Sequence, residues 1–92
     1  MSGYDPYNSL VREEMWSRFP SRKPVIEQVL YLIRFWELRG CTDDELEEWL
    51  DERHQTVSAR RRELVLCGAV RDSGMKRKTR SGTLARVWVY AG

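Results

Sequence analysis

The chain has 92 residues, of which 41% are hydrophobic and 33% are charged. Its length allows one small domain, and its apolar and aromatic content is too high for a disordered chain. No uninterrupted apolar run is longer than that of residues 29–33, which is far too short to span a membrane.

Secretion, metal binding and catalysis are not indicated by the sequence. The first ten residues contain no apolar core of a secretion signal, so we expect a cytoplasmic protein. Two cysteines, Cys41 and Cys67, and one histidine, His54, cannot complete a four-ligand zinc site by themselves. The chain also lacks a nucleophile–base pair and a glycine-rich phosphate loop. The sequence therefore predicts neither an enzyme nor a bound cofactor or metal.

The net charge of +2 conceals a strong asymmetry along the chain. Residues 1–59 contain seven Lys/Arg and twelve Asp/Glu, which gives a net charge of −5. Residues 60–92 contain nine Lys/Arg and only two acids, Glu63 and Asp72, which gives +7. A local excess of this size indicates a polyanionic partner for the C-terminal third.

The N-terminal segment, residues 1–24, contains all three prolines and an apolar stripe at helical spacing. The stripe consists of Leu10, Val11, Met15, Trp16 and Phe19. It predicts a short amphipathic helix over about residues 8–18 that must be covered by another apolar surface. Two surfaces could pack on this stripe. One is the C-terminal hairpin of the same chain, with Leu84, Trp88 and Tyr90, and the other is the same segment of a second chain in a homodimer.

A second helix is predicted over residues 25–39, because Pro24 suits the first turn and Gly40 suits the position after the end. A third, over residues 42–50, begins with a capping box of Thr42 and Glu45. Its expected buried side consists of Leu46, Trp49 and Leu50. Its carboxylates predict a solvated helix face rather than a catalytic or metal site. They are Asp43, Asp44, Glu47, Glu48 and Asp51.

A fourth helix is predicted over about residues 55–67, with Gly68 after its end. The remainder predicts a hairpin with arms 69–79 and 83–90. One face of the second arm is apolar, with Ala85, Val87 and Val89. The other is mixed, with Leu84, Arg86, Trp88 and Tyr90.

This order of elements is typical of an α+β winged helix-turn-helix domain, with a three-helix core and a two-stranded β wing. The domain would span residues 25–92, with residues 1–24 as an additional N-terminal arm. Residues 40–41 would supply the short first strand of such a domain. Residues 42–74, TDDELEEWLDERHQTVSARRRELVLCGAVRDSG, resemble the helix-turn-helix of MarR-like winged-helix proteins, and residues 79–88 resemble the wing of small phage and prophage winged-helix proteins.

The resemblance implies DNA contacts from two elements. On the recognition helix the groove-facing positions are Gln55, Thr56, Ser58, Ala59 and Arg62. On the wing they are Lys76, Arg77, Lys78 and Arg80. Two features depart from the family pattern: Arg61 occupies a position usually taken by a core aliphatic residue, and the preceding helix is unusually acidic.

Three consecutive arginines, residues 60–62, raise the question of where each side chain points. At about 100° per residue, Val57 and Leu64 mark the core direction and Arg62 points away from it. Arg60 and Arg61 fall on the two flanks, where their stems can lie along the core edge and carry the guanidinium outward. We therefore include Arg60 among the DNA-contacting candidates and expect Arg61 to pair or pack, with an acid of the preceding helix as partner.

These observations predict a sequence-specific protein that binds double-stranded DNA, a transcriptional regulator of phage or bacterial origin. The recognition helix, residues 55–67, would enter the major groove, and the basic wing, residues 76–80, would contact the backbone or the minor groove. One alternative is a DNA-binding accessory factor in phage replication, recombination or excision. Another is a winged helix that binds a protein partner through its acidic residues 43–51.

Overall fold

The computed structural model describes residues 9–92, with side chains from residue 12 onward. The described residues have an α+β fold compatible with a winged-helix layout. In chain order they form helix α1 (Ser9–Ser17), helix α2 (Val25–Trp36), a 3₁₀ turn (Glu37–Arg39), helix α3 (Asp43–Leu50), helix α4 (His54–Leu66), strand β1 (Val70–Lys78) and strand β2 (Leu84–Tyr90). The predicted helix start at residue 8 and the side chains of Leu10 and Val11 lie outside the described residues. Within residues 9–92, every helix is too short or too polar to cross a membrane.

The helix boundaries follow the local capping chemistry. Helix α2 ends at Trp36, three residues before the predicted end, because Glu37 adopts a positive φ of 48° and the chain tightens into the 3₁₀ turn. The predicted capping box of α3 is confirmed. The N–H of Glu45 donates to Thr42 Oγ1 at 3.1 Å, and the N–H of Thr42 donates to Glu45 Oε1 at 3.0 Å.

One apolar cluster holds the helices together. Helix α2 contributes most of it, since its side chains at 29, 32, 33 and 36 are buried. The indole rings of Trp36 and Trp49 stack with their centroids 5.6 Å apart, which joins α2 to α3. Leu46 and Trp49 are buried as predicted, whereas Leu50 is half-buried. From α4 only Val57 and Leu64 are buried, so most of that helix surface is left for other contacts.

The predicted short strand at residues 40–41 is present as a single bridge. The N–H of Cys41 donates to the carbonyl of Trp88 at 2.9 Å, and the N–H of Trp88 donates to the carbonyl of Cys41 at 2.8 Å. The bridge holds the 3₁₀ turn and the start of α3 against β2. Residues 87–89 are all buried, so both faces of β2 are covered at this point.

The N-terminal segment packs on α2 of its own chain. Met15 is fully buried, and its carbonyl accepts a hydrogen bond of 2.7 Å from the hydroxyl of Tyr31. The ring of Phe19 contacts Trp16 at 4.6 Å and Tyr31 at 5.7 Å between centroids. The hairpin is therefore not the cover of this segment, and its Leu84 and Tyr90 remain exposed. A homodimer through the segment stays a prediction.

An alanine at Gly40 is expected to lower the free energy of unfolding by about 2 kcal/mol more than an alanine at Gly82. Both glycines have positive φ, 64° and 86°, so both substitutions carry backbone strain. A Cβ at Gly40 would lie 2.4 Å from the carbonyl oxygen of Trp88, whereas a Cβ at Gly82 has no neighbour within 4 Å. Urea unfolding of the two variants measures the difference. Equal destabilisation would contradict the close packing at residue 40.

Candidate nucleic-acid interface

The surface of α4 that points away from the core carries polar and basic side chains. Gln55 and Arg62 are exposed on this surface, opposite the buried Val57 and Leu64. Thr56, Ser58 and Ala59 are half-buried at its margins. Arg62 makes no hydrogen bond or ion pair with any side chain from residue 12 onward. A guanidinium in this position can bind an external acceptor without first breaking an internal contact.

The two-stranded ribbon presents its lysines on the side of α4. Lys76 lies opposite Arg86 in the antiparallel ladder, and Lys78 lies two positions further along the same face. Strand alternation places Trp88 on that face as well, and its ring packs under the guanidinium of Arg61 of α4 at 4.0 Å. Lys76 and Lys78 are exposed. Lys76 and Lys78 therefore project from the same face of the ribbon as Trp88, which contacts Arg61 of α4.

Arg61 fixes the relative position of three elements. Its Nε and Nη2 donate to the two carboxylate oxygens of Asp43 in α3 at 3.0 and 2.9 Å, while its plane stacks on Trp88 of β2. The predicted pairing of this arginine with an acid of the preceding helix is confirmed. A planar guanidinium satisfies both contacts at once, which a lysine ammonium could not do.

Arg77 points to the opposite side of the ribbon from the lysines. Its Nη2 donates to Glu45 Oε1 at 2.8 Å and to the carbonyl of Gly40 at 3.1 Å. Arg39 Nη2 donates to the other oxygen of Glu45 at 2.7 Å. Strand alternation explains the difference from the expected role, because residue 77 points toward α3 while residues 76 and 78 point to the other face of the ribbon. We therefore leave Arg77 out of the proposed interface.

Glu45 is a buried carboxylate held in its charged form. Burial alone would raise its pKa, but hydrogen bonds from Arg39, Arg77 and the N–H of Thr42 outweigh burial and hold the pKa at about 2. The acids of α3 were expected to form a solvated face. Of the five acids expected there, Asp43 and Asp44 each bind an arginine from another part of the chain and Glu47 binds His54, while Glu48 and Asp51 are exposed.

Two further predicted DNA-contacting residues, Arg60 and Arg80, form ion pairs at the protein surface, as does His54. Arg60 forms an ion pair with Glu63 one turn along its own helix. Arg80, at the ribbon tip (residues 79–83), binds Asp44 of α3. His54 is the exposed first residue of α4, and its Nδ1 lies 2.6 Å from Glu47 Oε2. That hydrogen bond is the main cause of the raised pKa of His54.

The sequence did not predict that Asp44 binds Arg80 or that Glu45 binds Arg39 and Arg77, although one signal for these ion pairs exists. Three successive acids follow the N-cap residue of α3, and arginines are concentrated between residues 60 and 80. Among the described residues, no group of three His, Cys, Asp or Glu side chains is placed to hold a metal ion. No family model, no curated protein and no solved structure gives a match to this chain.

Proposed function

We propose that this chain is a winged-helix protein that binds double-stranded DNA, with α4 as the recognition helix and the ribbon as the wing. One observation carries the proposal: Lys76 and Lys78 project from the same face of the ribbon as Trp88, which contacts Arg61 of α4. We infer that the two lysines flank the surface of α4 on which Arg62 is exposed. A helix beside a basic β-ribbon suits a major groove with its flanking phosphates.

The side chains of this surface divide between base and backbone contacts. Arg62 is suited to the O6 and N7 acceptors of guanine, and Gln55 is suited to the N6 and N7 atoms of adenine. Ser58 is suited to a phosphate oxygen at the margin of the helix. The lysines would contact phosphates on either side of the groove. A transcriptional regulator of phage or bacterial origin is the biological role that we propose for such a protein.

The same surface would serve a DNA-binding accessory factor in replication, recombination or excision. A protein partner at residues 43–51 receives less support from the structure. Asp43, Asp44 and Glu45 already bind arginines of their own chain, and Glu47 binds His54. An acidic helix whose first turn is occupied in this way offers few charges to a partner.

We expect duplex DNA binding with a log–log salt slope of roughly −3 to −4. Of the nine Lys/Arg in residues 60–92, five form ion pairs within the chain, so the count of phosphate contacts is smaller than the local charge suggests. The other four are Arg62, Arg71, Lys76 and Lys78. Fluorescence anisotropy with a labelled duplex between low and physiological salt measures the slope. Absence of binding at low salt, or a flat response, would contradict the DNA-binding proposal.

A further inference from the structure

The tip of the ribbon binds a carboxylate in the way that proteins bind phosphate. The backbone N–H of Arg80 donates to Asp44 Oδ2 at 3.1 Å, and Arg80 Nε donates to Asp44 Oδ1 at 3.0 Å. Arg80 Nη2 lies 2.9 Å from the same Oδ1. A guanidinium combined with a backbone N–H is a donor set that holds the phosphates of nucleic acids equally well. Asp44 therefore occupies a position suited to a phosphate group.

Hydroxyl groups complete the surroundings of this position. Thr79, Ser81 and Thr83 line the groove between the tip, α3 and α4. Their oxygens form a chain, with 3.0 Å from Thr79 to Ser81 and 3.2 Å from Ser81 to Thr83. Hydroxyls are frequent donors to phosphate oxygens, so the tip offers further donors to an incoming backbone.

The ion pair of Arg80 with Asp44 at the ribbon tip can be replaced more readily than the ion pair of Arg77 with Glu45. The side chain of Arg80 is 55% exposed and that of Asp44 is 22% exposed, so water and ions reach both groups. An ion pair of this kind is weak and readily replaced. Arg77, in contrast, binds Glu45, whose side chain is only 8% exposed. The buried pair holds the ribbon in place while the exposed pair is free to open.

We propose that the ribbon tip is a phosphate-binding site that Asp44 occupies in the free protein, and that a DNA backbone phosphate replaces Asp44 on binding. The inference rests on the proposed DNA-binding function. Asp44 is thus an internal competitor of DNA that lowers the affinity for every sequence. No covalent step is involved, since one anion replaces another on the same donors.

Substitution Asp44→Asn tests the competition. It should raise the affinity for a 16-base-pair duplex by about two- to five-fold, because DNA no longer displaces a carboxylate. The matched control is Glu48→Gln, which removes the same charge from an exposed position of α3 and should give a smaller gain. Arg80→Ala should weaken binding more in the Asp44→Asn background than in the wild type, since only there are the donors of Arg80 fully available to phosphate.

These measurements distinguish the competition by Asp44 from a general effect of charge and from a failure of the DNA-binding function. Equal gains from Asp44→Asn and Glu48→Gln would show a general effect of charge and overturn the competition. A wild type that binds no duplex would instead overturn the DNA-binding function itself. Should Asp44→Asn fail to fold, the backbone amide and Nε resonances of Arg80 in the wild type remain informative. They should shift on addition of the duplex, and their constancy would contradict the proposal.

Discussion

Glu45→Ala is expected to lower the free energy of unfolding by about 3–5 kcal/mol, the range for removing one partner of a buried ion pair. The carboxylate receives hydrogen bonds from Arg39, Arg77 and the N–H of Thr42. Its removal takes the shared acceptor from two partly buried guanidinium groups and breaks the capping box of α3. Urea unfolding measures the loss. Glu48→Ala, an exposed acid of the same helix, is the control and should change stability by less than about 0.5 kcal/mol.

The pH dependence of stability provides a second measurement on Glu45. Its pKa falls from 4.5 in the unfolded chain to about 2 in the folded protein. A carboxyl with a lowered pKa contributes stability above pH 4.5 and loses it as the pH falls from 4.5 toward 2. The contribution at neutral pH is about 3 kcal/mol. Glu45→Gln should therefore be less stable at neutral pH and should show a flatter decline below pH 4.5. If Glu45→Gln and the wild type lost stability equally steeply below pH 4.5, other carboxyl groups would control acid unfolding.

Sequence patterns predicted the features that depend on neighbouring residues. The capping box needs only Thr42 and Glu45 at the correct spacing, and its hydrogen bonds form within one turn. The bridge at Cys41 follows from Gly40, whose positive φ and close contact with Trp88 exclude larger residues, whereas the end of the second helix lies three residues earlier than predicted. The order, type and approximate limits of the helices and the hairpin could therefore be predicted from the sequence.

The partners of the arginines depend on contacts between distant parts of the chain. Arg61 and Asp43 are 18 positions apart, and Arg77 and Glu45 are 32 apart. Counting charges could not separate the arginines that bind internal acids from Arg62, which does not. The local excess of positive charge was therefore visible in the sequence. Which of these charges remain unpaired within the chain could be seen only from the packing of α3 against the ribbon.

The sequence patterns did not predict that α2 of the same chain packs on the N-terminal segment, and the reason is different. Helix α2 is apolar on more than one side, because it carries Tyr31 and Phe35 in addition to its buried side chains at 29, 32, 33 and 36. A helix with two apolar faces is covered on both. In the structure the second face meets Trp16 and Phe19. Attention to the full circumference of α2 would have indicated this cover within the chain.

Arg62→Ala is expected to reduce the preference for the bound sequence over unrelated DNA by about 1–3 kcal/mol, roughly five- to 150-fold. Arg62 is exposed on the surface of α4 opposite the core, where a guanidinium can reach base edges in the major groove. Selecting bound fragments from a random duplex pool supplies the preferred sequence, and competition titrations of the variant measure the loss of preference.

The matched control for Arg62 is the pair of ribbon lysines. Lys76→Ala combined with Lys78→Ala should weaken binding to all sequences about equally and reduce the salt slope by about two, because each lysine neutralises one phosphate. Both residues are exposed and project from the α4 side of the ribbon, so their loss leaves the core and the pair of Arg77 with Glu45 intact. If Arg62→Ala instead weakened every sequence alike, α4 would lie along the phosphate backbone, and base recognition would have to come from another element of the chain.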